Sequence, residues 1–283
     1  MPSGNAPTVR QRRIGSALRK ARDRRDLTVA TAARRFGRSQ GWLSMVENGL
    51  QTIAPKNSPT SSTSTTSRTA PLRESLLHLA AHKPGSWERA YENRLSGAAL
   101  DLAGLEEDAA EIRTFQSNIV PGLLQIPEYA RSIIACGAEH PHSIKTLVDF
   151  RPSRQRVLSR SEPPHYTPII AEAVLHNRVG GNPAILQAQV QRMAVAARLD
   201  HVELRVLPST ASEYLGLITP YHLVSLRPSG RLTVSVYDQP TKSIFLEDEG
   251  EVATHQEIFE LLLSASPSRS ASLSLVEEAA SRA

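Results

Sequence analysis

Residues 27–49 read LTVATAARRFGRSQGWLSMVENG, two short helical patterns separated by one glycine. Thr28 has the chemistry of an N-cap, and Ala30, Ala32, Ala33 and Phe36 follow at helical spacing with side chains small enough for a second helix to approach closely. Gly37 ends this helix. Ser39 is a second N-cap, opening a helix that turns Leu43 and Val46 inward and stops at Asn48 and Gly49. Two short helices joined by a tight glycine turn make a helix-turn-helix unit. With Leu43 and Val46 inward, Gln40, Gly41, Ser44 and Met45 face the side a recognition helix presents to the major groove, and Trp42 lies at its edge.

Charge separates this unit from an ordinary helical hairpin. Residues 1–50 hold 11 Lys+Arg against 3 Asp+Glu, a net of +8, whereas the remaining chain holds 22 against 25, a net of −3. A positive excess gathered beside one motif suits a phosphate backbone, because each cation that neutralises a phosphate releases a counterion. Upstream, Ile14, Ala17, Leu18 and Ala21 follow helical spacing between Val9 and Asp26 and predict a first helix.

The pattern of Leu27-Thr28, Ala33, Gly37, Ser39, Leu43 and Val46-Glu47-Asn48-Gly49 resembles the Cro/cI phage-repressor type of helix-turn-helix, the xenobiotic-response-element family. The resemblance implies double-stranded DNA as partner and a homodimer reading two half-sites. It also implies an ion pair between Arg22, five residues before Leu27, and Glu47. Gln40 is the best candidate base reader, since its amide can pair with adenine N6 and N7. Thr28, Arg38 and Asn48 are left to position the backbone, with Ser39 as cap, because Val29 stands where the family often carries a polar side chain that touches a phosphate.

After Gly49 the composition changes. Residues 51–71 contain 11 Ser or Thr and 3 Pro in 21 positions, the composition of a flexible linker. The resemblance, however, implies further helices at this point to complete the DNA-binding core. With GC-rich codons, one G inserted after the Lys56 codon would turn residues 56–70 into KELADILDVYDVEDG, an amphipathic helix, so a pair of compensating frameshifts is the second reading. Resequencing through codons 54–72 separates the two. From Leu72 helical spacing resumes through Leu76, Leu79, Ala80, Trp87, Ala90, Tyr91 and Leu95.

The expected organisation is a helix-turn-helix domain at 9–54, a linker or out-of-frame segment at 55–71, a helical connector at 72–98 and a second domain at 99–280. Ala99–Ile112 reads as a helix with Leu102, Leu105, Ala109 and Ile112 on one stripe. Pro121-Gly122 is a turn and Pro127 fixes a helix start. Residues 166–172, 202–208, 221–226, 232–238 and 243–247 read as strands, with Pro228-Ser229-Gly230 as a hairpin turn. Asn182 caps a helix that Pro183 starts and that runs to Leu199; another spans Glu251–Ser264. The fold class is α+β overall, an all-α N-terminal domain followed by an α+β domain. IVPGLLQIPEYARSII, RQRVL at 154–158, YTPIIAEAVLHNRVGG at 166–181 and VELRVLP at 202–208 together resemble the C-terminal domain of uncharacterised function found on helix-turn-helix regulators of Streptomyces and related actinobacteria. Some of these are described as antitoxin-like, beside a small partner protein from a neighbouring gene.

The residue chemistry points to no catalytic site. Glu139, His140 and His142 have Pro141 between the histidines and no fourth ligand in reach; His78 and His82 lack the glutamate of a zinc protease motif. Gly180-Gly181 lacks a dinucleotide loop's third glycine and reads as a turn before Asn182. No nucleophile elbow is present. Neither a metal nor a cofactor is expected. The single Cys136 reads as a small buried hydrophobe near a helix end. Arg151, Arg154 and Arg156 form a basic cluster that either binds an anionic ligand or a partner's carboxylates or lines a solvated helix face. Two functions compete: a non-enzymatic transcription regulator whose residues 99–280 bind a partner or ligand, and a DNA-tethered enzyme. With neither a signal-peptide pattern nor a run of 18 apolar residues, a cytoplasmic location off the membrane is expected.

Overall fold

Helix-capping chemistry sets the first three elements. The computed structural model describes residues 7–51, 86–137, 141–211, 218–227, 232–238 and 243–282. Thr8 caps α1 (Val9–Asp23) through a capping box with Gln11, Thr28 caps α2 (Val29–Arg35) and Ser39 caps α3 (Gln40–Glu47), each hydroxyl accepting a backbone N–H of the first turn. Gly37, at φ +63°, makes the turn between α2 and α3 in a backbone region that favours glycine. Ala32, Ala33 and Leu43 form the core, with Leu27, Val29, Phe36 and Trp42 packed on it. Gly15 brings α1 against the end of α3: a Cβ there would overlap the carbonyl oxygen of Val46 and lie 2.7 Å from that of Glu47. The first helix is shorter than its apolar spacing predicts, because residues 24–26 form a turn in which Asp26 has φ +50°.

The described residues fall into two units, this one, with which residues 226–232 also group, and another built from nearly all of the elements that follow. The second begins with α4 (Ser86–Tyr91) and α5 (Gly97–Glu107), capped by Ser96. The helix expected over 99–112 is corrected here: it ends at Glu107 with Asp108 as C-cap, and Ala109–Gln116 is strand β1. Leu102, Leu105, Ala109 and Ile112 satisfy a helical stripe by spacing alone. Past Asp108, however, Ile112, Thr114 and Gln116 alternate with Arg113 and Phe115, and the period is 2.

After β1 come a 3-10 turn (Gly122–Leu124), α6 (Pro127–Gly137), α7 (Pro141–Gln155), β2 (His165–Ala171), α8 (Pro183–Ala197), β3 (Arg205–Leu207), β4 (Tyr221–Leu226), β5 (Thr233–Asp238), β6 (Ser243–Leu246), α9 (Glu249–Ala265) and α10 (Arg269–Arg282). Pro127 and the Asn182-Pro183 pair start α6 and α8 as predicted, Asn182 accepting from the Ala184 N–H. The six strands form one sheet in the order β3-β2-β1-β4-β5-β6, parallel from β1 through β2 to β3 and antiparallel from β4 through β5 to β6. Phe115, Ile169, Leu207, Tyr221 and Leu223 cover one face and pack against Val252, Phe259 and Leu262 of α9. Strand alternation puts Thr114, Tyr166, His222 and Asp238 on the other face. The fold is α+β overall.

The Ser/Thr-rich stretch, His78, His82, Glu139, His140, the side chain of His142 and the Pro228-Ser229-Gly230 turn lie outside the described residues. Among those described, no helix is long and apolar enough to cross a membrane.

Candidate nucleic-acid interface and arginine cluster

In the first unit α3 turns Leu43 and Val46 into the core, each 1% exposed. Gln40, Gly41, Ser44 and Met45 lie on its exposed side. Thr28, Arg38, Ser39 and Asn48 are exposed around it. Several of these polar groups are already engaged. The Thr28 hydroxyl accepts from the Thr31 N–H and donates to the Thr31 hydroxyl, and the Ser39 hydroxyl accepts from the Trp42 N–H. Asn48 donates to the Ser44 carbonyl at 2.8 Å and accepts from Arg19 at 2.6 Å, so its amide closes the end of α3. Val29 packs on the core.

Arg38 holds its guanidinium over the Trp42 ring, 5.5 Å from the centroid. Arg34, Gly37, Arg38, Ser39 and Trp42 line a concavity at the start of α3. Two cations beside a helix N-terminus have the chemistry of a phosphate contact. Arg34 did not stand out in the sequence, where only its place in a run of basic residues marks it.

Arg22 forks onto Glu47, Nε to Oε1 at 2.7 Å and Nη2 to Oε2 at 2.9 Å, tying α1 to the end of α3. Its Nη1 donates to the Leu27 carbonyl at 3.0 Å and to Asp23 at 2.6 Å. The hydrogen bonds to Glu47 hold the guanidinium above its ordinary pKa, against burial.

In the second unit the basic cluster on and after α7 separates into three residues with three surroundings. Arg154 is buried and forks onto Glu106 of α5, Nε to Oε2 at 2.8 Å and Nη2 to Oε1 at 2.7 Å. Burial opposes its charge, and Glu106 more than offsets this, so its pKa rises. Arg156 is exposed on a 3-10 turn. Arg151 has no hydrogen bond or ion pair among the described residues, and its Nε is a buried donor without a partner. Burial first, then the neighbouring Arg154, push its pKa down to about 10. The helix face is therefore closed to solvent at Arg154 and only partly open to it at Arg151.

On the sheet face opposite α9, the Thr114 hydroxyl lies 3.0 Å from His222 Nδ1. Burial lowers the His222 pKa and raises that of Tyr166. On the opposite face His255 lies between Ser235, 2.8 Å from Nδ1, and the Tyr237 hydroxyl, 2.7 Å from Nε2. Ser235 is fully buried, which keeps a substrate from this serine–histidine contact. Gly180 and Gly181 form the expected turn before Asn182. Cys136 corrects the sequence reading: it stands near the end of α6 but is exposed, and its thiol donates to the Ser132 carbonyl. It stands seven residues after Tyr129, on the same side of the helix, but the last turn of α6, Ala135 to Gly137, is exposed as a whole. No three His, Cys, Asp or Glu residues gather as metal ligands among the described residues.

Residues 13–57 match the model of a helix-turn-helix domain, and residues 99–278 match that of a domain of unknown function, DUF5753. No curated protein and no solved structure matches the chain significantly.

Proposed function

The chain belongs to the DUF5753 family and carries a helix-turn-helix domain, and from this premise we propose that it is a sequence-specific transcription regulator of Cro/cI type with an antitoxin-like, actinobacterial arrangement. In this reading α3 enters the major groove, Gln40 reads a base, and Gly41, Ser44 and Met45 fit the groove around it. Thr28, Ser39, Arg34 and Arg38 hold phosphates, and Asn48 braces the helix end. Two copies bind half-sites about 34 Å apart. Residues 99–280 act without catalysis, binding a small partner protein or ligand, and the protein works in the cytoplasm. The observation that carries the reading is the exposed face of Gln40, Gly41, Ser44 and Met45 within a region of net charge +8.

Selection of binding sites from random DNA, with wild type and with Gln40→Ala, tests it. The variant should lose preference at one base pair per half-site, about 1–3 kcal/mol of discrimination, and retain nonspecific binding. An unchanged consensus would remove Gln40 from the reading role, and wild type that selects no sequence would overturn the regulator.

A further inference from the structure

Arg151 makes a demand that its surroundings do not meet. Arg151 is partly buried, its Nε lies out of reach of water without a partner, and the adjacent Arg154 has taken the carboxylate of Glu106. Asp238, on the same face of the sheet, is exposed and accepts from Ser243 at 2.7 Å. Gly122 lets the guanidinium lie directly against the loop: a Cβ there would stand 2.5 Å from Arg151 Nη1.

The loop that holds Gly122 is braced rather than loose. The Val120 N–H donates to the Tyr129 hydroxyl, Gln155 donates to the Gly122 and Gln125 carbonyls, and Gln189 donates to the Leu124 carbonyl while accepting from the Ile126 N–H. Gln125 donates to the Val120 carbonyl and leaves its own Oε1 buried without a partner. This loop follows the carboxyl end of β1. The chain goes from β1 to β2 and β3 on one side and returns to β4 on the other, and open sheets bind ligands outside the strand ends at such a reversal.

We propose that Arg151, set against the 120–126 loop, is the anchor of a binding site for a small organic carboxylate. The inference rests on reading residues 99–280 as a binding module and specifies its ligand chemistry. A carboxylate presents two oxygens to the guanidinium fork and carries a negative charge at ion-pair distance, which Asp238 and Glu106, acting on Arg151 from farther off, do not supply among the described residues.

Sodium propionate is the probe, added to the full chain at ionic strength matched with sodium chloride, and the melting of the C-terminal unit is the readout. Wild type should show a saturable rise of about 3 °C. Arg151→Met should melt at or above the unliganded wild type and lose the propionate response. Arg151→Lys, which keeps the charge without the fork, should retain less than half of the response and covers the case in which the methionine variant does not fold. No rise in wild type, an equal rise in Arg151→Met, or a larger saturable response to inorganic phosphate would each overturn the proposal. Site selection on the same preparation keeps the two readings apart: selective DNA binding without a propionate response removes the carboxylate site and leaves the regulator, whereas the reverse leaves the site and removes the regulator.

Discussion

The two units each contain an arginine–glutamate fork of nearly the same geometry in different company. Arg22 reaches Glu47 across 25 residues, and its side chain remains 15% exposed. It also holds Asp23 and the Leu27 carbonyl, so it keeps partners if Glu47 is lost. Arg154 reaches Glu106 across 48 residues, and the two side chains are 9% and 3% exposed. Beside it stands Arg151. Without Glu106, two guanidiniums face each other with no carboxylate at ion-pair distance among the described residues. What a fork contributes depends on what each partner can reach when the other is gone, more than on its own distances.

The largest expected effect follows from that difference. Glu106→Gln should destabilise the C-terminal unit by ~3–5 kcal/mol in urea unfolding, chiefly from buried charge left unpaired. Glu106→Leu combined with Arg154→Met should recover most of it. A loss below about 1 kcal/mol would mean that water screens the second fork as it does the first, and the contrast would fail.

Arg22→Ala comes next, at about 2 kcal/mol in the N-terminal unit, the value of charged hydrogen bonds at a partly exposed site. The Arg22→Ala, Glu47→Ala double variant should cost less than the two single effects added. Strict additivity would show that the residues do not touch in solution.

The smallest effect is acid sensitivity. Burial holds His222 and His255 below the ordinary histidine pKa, so the folded unit takes up protons less readily than the unfolded chain. Their contribution is complete above about pH 6.5 and is lost as the pH falls below it. The described residues of the N-terminal unit contain no histidine. Melting followed from pH 7 towards pH 5 should therefore lower the C-terminal transition and leave the N-terminal one nearly in place, and His222→Gln should flatten the slope. Equal movement of both transitions would assign the sensitivity to other groups.

The sequence stated the caps plainly, because Thr28, Ser39 and the Asn182-Pro183 pair act within a turn of where they stand. It was less informative wherever the period changed or the partner was remote. Ala109 and Ile112 continue the stripe of Leu102 and Leu105, so nothing in the apolar spacing marks the change from α5 to β1; Asp108 marks it only once the chain is seen to turn there. Arg22 could be matched to Glu47 through resemblance to a known pattern. Arg154 had no such guide, and among 25 acidic residues beyond position 50 nothing local singles out Glu106. Arg151 is harder still, since what distinguishes it is a missing partner.

The position of β1 bears on how the chain is made. The first strand of the sheet to leave the ribosome is one of its two middle strands, and its neighbour on one side, β4, is synthesised roughly a hundred residues later. Until then β1, β2 and β3 can pair as a half-sheet whose open edge is β1, with Thr114 awaiting His222 and unpaired backbone groups of the kind that join one chain to another. The nascent protein thus has its three N-terminal helices complete while its sheet is still half open, and the interval before β4 arrives is when crowded synthesis carries the greatest risk of aggregation.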